Sequence, residues 1–181
     1  MMAGRVIAVV GPSGVGKDSV MSGLKNLMPD LHVVRRVITR EPGLGGEDYD
    51  AVSPEEFDTM VQSGAFALHW GAHSLRYGIP ITVNYQLTKG TDCLVNFSRK
   101  ALTEGANIFP NFLVLNIKAS PETLAKRLTA RGRESDEEIA QRIAVAKKCL
   151  PDGLDIVEVS NDGPLNQTVA RAAALIQPVR A

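Results

Sequence analysis

The sequence lacks an excess of charge of either sign, since 20 lysines and arginines stand against 20 aspartates and glutamates in 181 residues. No overall electrostatic field would attract nucleic acid or an anionic membrane, so any bound anion must be met by a local cluster of side chains. Cysteine is also scarce. Cys93 and Cys149 lie far apart without metal-ligand spacing, so we expect reduced core thiols and assign them no role.

Long apolar runs, internal repeats and low-complexity segments are missing as well. The apolar run 6–10 is too short to span a membrane, and the glycine-rich loop after it does not resemble a signal-peptide cleavage region. At this length we expect one domain with a substantial core, so we predict a single cytoplasmic domain over residues 1–181. The oligomeric state is not fixed by these observations, and a homodimer stays open.

What the sequence does contain is an alternation of apolar strand-like runs and amphipathic helical segments. The predicted strands are residues 5–10, 32–38, 66–70, 92–97, 112–117 and 155–159. Helices are predicted after the loop that ends at residue 16 and at about residues 53–64, 99–107, 120–131, 135–150 and 165–176. Residues 41–50 are predicted as a loop, and a turn-rich stretch leads from Trp70 to Tyr77. This alternation predicts an α/β fold with a parallel sheet covered on both faces.

The stretch GPSGVGKDSV, from Gly11 to Val20, carries the strongest functional signal. A glycine-rich turn between a buried strand and a helix points backbone N–H groups inward, and the helix dipole adds partial positive charge, so a polyphosphate can bind there. Lys17 would reach the β- and γ-phosphates. The predicted nucleotide-binding residues are Gly11, Pro12, Ser13, Gly14, Val15, Gly16, Lys17, Asp18 and Ser19.

Asp18 stands where such loops usually carry a hydroxyl group that ligates magnesium. The buried strand over residues 94–98 ends without a carboxylate that would hold the ion from elsewhere. We therefore hypothesise that Asp18 is a ligand of Mg²⁺, a hard cation that prefers anionic oxygen, with the Ser19 hydroxyl behind it. The alternative is that Asp18 only stabilises the N-terminus of its helix electrostatically.

Together with other motifs, this loop makes the chain resemble the guanylate-kinase-like P-loop kinases over nearly its whole length. The matching pieces are GPSGVGKDS, ITR at 38–40, GGEDYDAVSPEEF at 45–57, RYG at 76–78 and RLTARGRESDEEIAQR at 127–142. The resemblance implies a five-stranded parallel sheet with helices on both faces. It also implies an acceptor-binding insertion at about residues 35–85 and an arginine-rich lid at about 127–142.

The departures from that pattern concern the acceptor. Guanylate kinases hold the acceptor phosphate with two arginines, whereas the corresponding positions here are Arg40 and Gly43. They read guanine with a glutamate, where this chain has Leu68, and they place an aspartate where it has Ser98. Leucine accepts no hydrogen bond from a guanine edge, and burying that edge unpaired would cost about 1–3 kcal/mol per group. Guanine is therefore a poor candidate acceptor.

The chain is more similar to one subgroup, the ribose 1,5-bisphosphate phosphokinases of phosphonate degradation. The similarity lies in the aspartate after the loop lysine, LVNFSR at 94–99, RGRE at 131–134 and NDG at 161–163. It implies Mg²⁺-dependent transfer of the γ-phosphoryl group of ATP to the small-molecule acceptor ribose 1,5-bisphosphate, giving 5-phosphoribosyl 1-diphosphate (PRPP) and ADP. A nucleoside monophosphate kinase and a non-catalytic binding module are the alternatives, although the retained Lys17 argues against the module.

The resemblance also implies roles for polar residues outside the loop. The side chains expected to neutralise charge on the transferring phosphoryl group are Lys17, Arg127, Arg131 and Arg142, with a salt-bridged surface as the alternative for the arginines. The expected acceptor contacts are Arg40, Tyr49 and Tyr77 at the phosphate, and Ser98 and Arg99 at the sugar hydroxyls or the 5-phosphate. Asn161 is expected near the adenine or, alternatively, in a turn. Arg35 and Arg36 are predicted to flank a strand.

Overall fold

Residues 3–177 are described by a computed structural model of the protein. The strands are β1 Val6–Val10, β2 His32–Val33, β3 Arg36–Ile38, β4 Tyr49–Ala51, β5 Phe66–Ala72, β6 Leu75–Pro80, β7 Cys93–Asn96, β8 Phe112–Lys118 and β9 Ile156–Ser160. The α-helices are α1 Lys17–Leu27, α2 Pro54–Gln62, α3 Val83–Thr88, α4 Leu102–Ile108, α5 Pro121–Arg131, α6 Asp136–Ala146 and α7 Leu165–Ile176.

A five-stranded parallel sheet forms the centre of the fold, in the order β2-β7-β1-β8-β9. All residues of β1 are buried because its side chains alternate between two apolar cores. Val6, Ala8 and Val10 belong to one core, while Ile7 and Val9 belong to the other. Burial on both faces is the reason that β1 is a continuous apolar run. The predicted α/β fold with a five-stranded parallel sheet is confirmed.

A second, four-stranded sheet has the order β4-β3-β6-β5. Strand β3 is parallel to β4, whereas β6 is antiparallel to both β3 and β5. The prediction of one strand over residues 32–38 is wrong, because the chain leaves the first sheet after Val33 and enters the second at Arg36. The turn-rich stretch is also shorter than predicted. Within residues 70–77 only His73 and Ser74 have positive φ, 52° and 60°, and they connect β5 to β6 as a hairpin.

The helix starts were well predicted because their caps are local. Ser53 and Glu56 form a reciprocal capping box at α2, and Ser135 and Glu138 form another at α6. Helix α6 ends at Ala146, earlier than predicted, and helix α3 was not predicted. Among residues 3–177, no helix has the length and apolar character needed to cross a bilayer. Both cysteines are free, but Cys149 is exposed, so the prediction of two core thiols is wrong for that residue.

Candidate active site

The phosphate loop lies at the carboxyl end of β1, where residues 11–16 lead into α1. Gly14 and Gly16 have φ values of 81° and 92°, in the left-handed region that favours glycine. A Cβ atom on Gly16 would lie 2.8 Å from Asn161 Nδ2, which itself donates a hydrogen bond to Val15 O over 2.8 Å. No side chain caps the N-terminus of α1. Its first N–H groups are therefore available to an anion.

Lys17 begins α1 and turns back over the loop, where its Nζ donates a hydrogen bond to Gly11 O over 2.9 Å. Burial lowers the pKa of Lys17 to about 8, and the positive charges of Arg36 and Arg99 act in the same direction, while Asp18 opposes them. The protonated amine is thus held in a site that penalises its charge. A bound polyphosphate would supply the missing negative charge.

Asp18 lies against the loop between β3 and β4. A Cβ atom on Gly46 would be 3.1 Å from Asp18 Oδ2. Burial raises the pKa of Asp18, and the nearby Glu47 carboxylate raises it further, against the effect of Lys17. Within residues 3–177, no group of three or more His, Cys, Asp or Glu side chains is arranged to hold a metal. Mg²⁺ in phosphoryl-transfer sites is bound through one or two carboxylates plus phosphate oxygens, so a partly buried Asp18 fits that ion.

Glu47 was not singled out from the sequence, and its position depends on Arg36. Arg36 Nε donates to Glu47 Oε1 over 2.7 Å, and Asn96 Nδ2 donates to Glu47 Oε2 over 3.1 Å. The Arg36 guanidinium lies 4.9 Å from the centre of the Tyr77 ring and 5.8 Å from that of Trp70. Arg36 is the first residue of β3 and is 4% exposed, so it lies at the edge of a strand as predicted, but its burial was not predicted. Its buried ion pair joins the second sheet to the end of β7.

Four predicted acceptor contacts come together beside this ion pair. The Arg40 guanidinium lies 5.5 Å from the centre of the Tyr49 ring, and Arg40 Nη2 lies 3.5 Å from the Tyr77 hydroxyl. Ser98 is connected to the same group, since its Oγ accepts a hydrogen bond from Trp70 Nε1 over 2.8 Å. The Trp70 ring in turn stacks on Tyr77. The structure therefore gathers Arg40, Tyr49, Tyr77 and Ser98 at one place.

Arg99 lies apart from that group. Its guanidinium donates hydrogen bonds to the carbonyl oxygens of Val145, Ala146 and Lys148, at 3.0, 3.3 and 3.1 Å. These oxygens lie at the C-terminal end of α6, where an arginine complements the helix dipole. Arg99 thus fastens the C-terminal end of α6, the helix that begins within the predicted lid, to the segment that follows β7. A contact of Arg99 with the acceptor stays a prediction.

The predicted lid arginines lie close to the phosphate loop. Arg127 donates to Val15 O over 3.2 Å and to Asn161 O over 2.7 Å. Arg142 Nη1 donates to the Ser13 hydroxyl over 2.6 Å. A cavity of about 330 Å³ next to Arg127 is also lined by Thr123, Lys126, Ala130 and Asp162. Both arginines therefore contact the loop in the absence of a ligand.

Glu134 pairs with Arg131 and Arg142, and it was not singled out from the sequence as a site residue. Arg131 Nη2 lies 2.7 Å from Glu134 Oε1, and Arg142 Nη2 lies 3.5 Å from the same oxygen. The Glu134 side chain is 6% exposed, and its Oε2 is buried without a hydrogen-bond partner in the described structure. One acid of this segment, Glu134, thus pairs with lid arginines. The cluster of Arg131, Glu134 and Arg142, however, contacts the phosphate loop through Arg142, so it is more than a solvated surface contact.

Comparisons with known proteins agree with this geometry. The sequence model of the guanylate kinase family matches residues 3–177. A ribose 1,5-bisphosphate phosphokinase PhnN of Ruegeria sp. (strain TM1040) is 51% identical over 179 residues, covering 98% of this chain and 94% of that protein. The protein of the same name from Rhizobium etli (strain CIAT 652) is 43% identical over 176 residues, covering 96% of this chain and 89% of its own length.

Solved structures share the fold at low sequence identity. A guanylate kinase from Anaplasma phagocytophilum superimposes with a TM-score of 0.70 at 20% identity, covering 97% of this chain and 86% of that one. A gluconokinase from Sinorhizobium meliloti 1021 superimposes with a TM-score of 0.56 at 18% identity, covering 96% and 91%. Since one fold hosts different acceptors, these two likenesses support the architecture alone.

Proposed function

Since the chain belongs to the guanylate kinase family, we propose that it transfers the γ-phosphoryl group of ATP to the 1-phosphate of ribose 1,5-bisphosphate. The products would be 5-phosphoribosyl 1-diphosphate and ADP. The observation that carries the proposal is the full-length similarity, up to 51% identity, to proteins named for this acceptor. Leu68 supports it, because its buried side chain offers no hydrogen bond to a guanine.

The donor would bind at the phosphate loop. The N–H groups of the loop and of the first turn of α1 would hold the β- and γ-phosphates, and Lys17 would leave Gly11 O to bind them. The adenosine would extend past Arg127 toward the cavity lined by Lys126 and Asp162. Asp18 is the residue that would hold Mg²⁺, which when bound neutralises charge on the phosphates.

The acceptor would bind at the second sheet, with its 1-phosphate on Arg40 and the hydroxyls of Tyr49 and Tyr77. An oxygen of this phosphate would form a bond to the γ-phosphorus, while the bond from that phosphorus to the bridging oxygen breaks and ADP keeps the electron pair. The acceptor phosphate is already anionic, so no general base is needed. Positioning and charge neutralisation supply the catalysis, and Arg131 and Arg142 are the lid groups that would neutralise the transferring phosphoryl group.

The proposal is tested by measuring ADP release with ribose 1,5-bisphosphate, GMP and AMP offered separately, each with ATP and Mg²⁺. We expect turnover with the pentose bisphosphate and formation of its 1-diphosphate product, detected by phosphorus NMR. Lys17→Met is the control variant, since any ADP that it releases would come from a contaminating enzyme. Turnover of GMP alone would overturn the choice of acceptor, and tight peptide binding without any turnover would favour the binding module.

A further inference from the structure

Glu47 brings a carboxylate to the part of the site where polyanions are expected to bind. It follows Gly46, against which Asp18 lies, and Asp18 is the neighbour of Lys17 in the phosphate loop. An isolated carboxylate there would repel ATP and a bisphosphate acceptor. Glu47 should therefore make a favourable interaction in the loaded site that offsets this repulsion.

The charge of Glu47 is neutralised and its side chain is fixed. Arg36 makes two hydrogen bonds to it, one to each carboxylate oxygen, and the Glu47 side chain is only 14% exposed. Asn96, the last residue of β7, makes a third. Arg36 is itself held over the rings of Trp70 and Tyr77. The pair adds no net charge beside the phosphates, and it cannot move without disturbing both sheets.

A carboxylate fixed in this way keeps the capacity to accept one more hydrogen bond. A carboxylate has about four lone-pair sites, and three of those on Glu47 are used, two of them on Oε2. The open site is on Oε1. A neutral hydroxyl group is the ligand that would donate to it without adding negative charge, and such charge-assisted hydrogen bonds are strong.

We propose that Glu47 accepts a hydrogen bond from the 2-hydroxyl of the acceptor sugar and makes the enzyme selective for a pentose that carries this group. The inference rests on the proposed function. The phosphoryl group to be transferred would lie at Lys17, the residue before Asp18, and Asp18 lies against Gly46, the residue before Glu47. The acceptor carbon nearest to Glu47 would therefore be C1 or its neighbour. C2 is the neighbour of C1 that carries a free hydroxyl. Arg36 and Asn96 are positioning residues for the carboxylate.

The test compares ribose 1,5-bisphosphate with 2-deoxyribose 1,5-bisphosphate. Sites built to hydrogen-bond a substrate hydroxyl reject the analogue that lacks it, because a buried polar group is left unpaired. We expect the unaltered enzyme to prefer the ribose compound by about 100-fold in kcat/KM. Glu47→Gln should lower this preference to about 10-fold or less, through loss of activity on ribose. Asp48→Asn, which alters the exposed neighbouring carboxylate, should keep the full preference.

Two further measurements separate selectivity from misfolding and from metal binding. Asn96→Ala removes one donor to Glu47 without leaving the buried Arg36 unpaired, and it should lower the preference partially. Glu47→Gln should keep the ATP-induced rise in Tm and the Mn²⁺ affinity of the ATP complex, measured by electron paramagnetic resonance, whereas Asp18→Asn should lose that affinity.

Each result either supports or overturns the inference. Equal use of the two pentoses by the unaltered enzyme would overturn it and leave the proposed function standing. So would an unchanged preference in both Glu47→Gln and Asn96→Ala, or loss of Mn²⁺ affinity in Glu47→Gln, which would make Glu47 a metal ligand. No turnover with either pentose would overturn the proposed function and this inference with it.

Discussion

Replacement of Lys17 by methionine is expected to stabilise the protein without nucleotide and to abolish ATP binding. Burial lowers the Lys17 pKa from 10.5 to about 8. At about 1.4 kcal/mol per pH unit, that difference corresponds to about 3 kcal/mol of unfavourable free energy in the folded state at pH 7. This is an upper limit, because Lys17 is partly exposed to solvent.

Loss of the hydrogen bond to Gly11 O offsets about 1 kcal/mol of the gain. About 2 kcal/mol remains, which corresponds to a rise in Tm of about 4–8 °C for a chain of this size. The size of this gain in stability depends on pH. Between about pH 8 and 10.5 the unfolded chain binds more protons at this lysine than the folded chain does, so the stability of the unaltered protein rises there with pH. The advantage of Lys17→Met should therefore shrink as the pH approaches 10.5.

The assay is urea unfolding without nucleotide at pH 7 and pH 10, with Lys100→Met as the control because Lys100 is exposed. In thermal unfolding, added ATP and Mg²⁺ should raise the Tm of the unaltered protein and of Lys100→Met but not that of Lys17→Met. Destabilisation by Lys17→Met at pH 7, or the same difference in stability at both pH values, would refute the view that burial penalises the charge of Lys17.

Three other predictions concern the same site. In the proposed function protonated Lys17 would bind the phosphates, so the Kd for ATP should rise above pH 8, by up to about tenfold per pH unit; calorimetry from pH 6 to 10 measures this, and a flat profile would contradict it. Gly16→Ala should lose about 1–2 kcal/mol of unfolding free energy in urea and its ATP-induced rise in Tm, because alanine at a φ of 92° is strained and its Cβ would meet Asn161. Glu134→Ala should lower kcat about tenfold in steady-state assays, because the two lid arginines paired with it lose their positions, whereas the exposed Glu137→Ala should leave kcat unchanged.

The sequence predicted elements whose signals are local and missed those that depend on distant partners. Strand β1 and helix α7 were predicted to within one residue, since a buried apolar run and a helical period are visible in any short window. The division of residues 32–38 into two strands was not visible. It arises because His32 pairs with Cys93, whereas Val37 pairs with Asp50 and Gly78. Such pairing determines which sheet each half joins, and no local pattern encodes it.

The same distinction applies to the site. The phosphate loop was predicted because its three glycines and Lys17 lie within residues 11–17 and form a recognisable local pattern. Arg36 and Glu47 were missed because charged residues are usually exposed, and their burial depends on an ion pair across a glycine-rich loop and on two aromatic rings. Glu134 was treated as one of several surface acids, although its position three residues after Arg131 was a usable signal.

The ion pairs of the site explain why an aspartate follows the loop lysine. The chain has no net charge, yet it carries three carboxylates near a site for two polyanions. Arg36 neutralises Glu47, and Arg131 and Arg142 neutralise Glu134. Within residues 3–177, Asp18 forms no ion pair of this kind, and burial together with Glu47 raises its pKa. A divalent cation is the partner that would offset the charge of Asp18 and, at the same time, that of the bound phosphates. We therefore propose that the Asp18 carboxylate is part of the charge balance of the loaded site, and that a hydroxyl group in its place would supply one negative charge fewer to the cation.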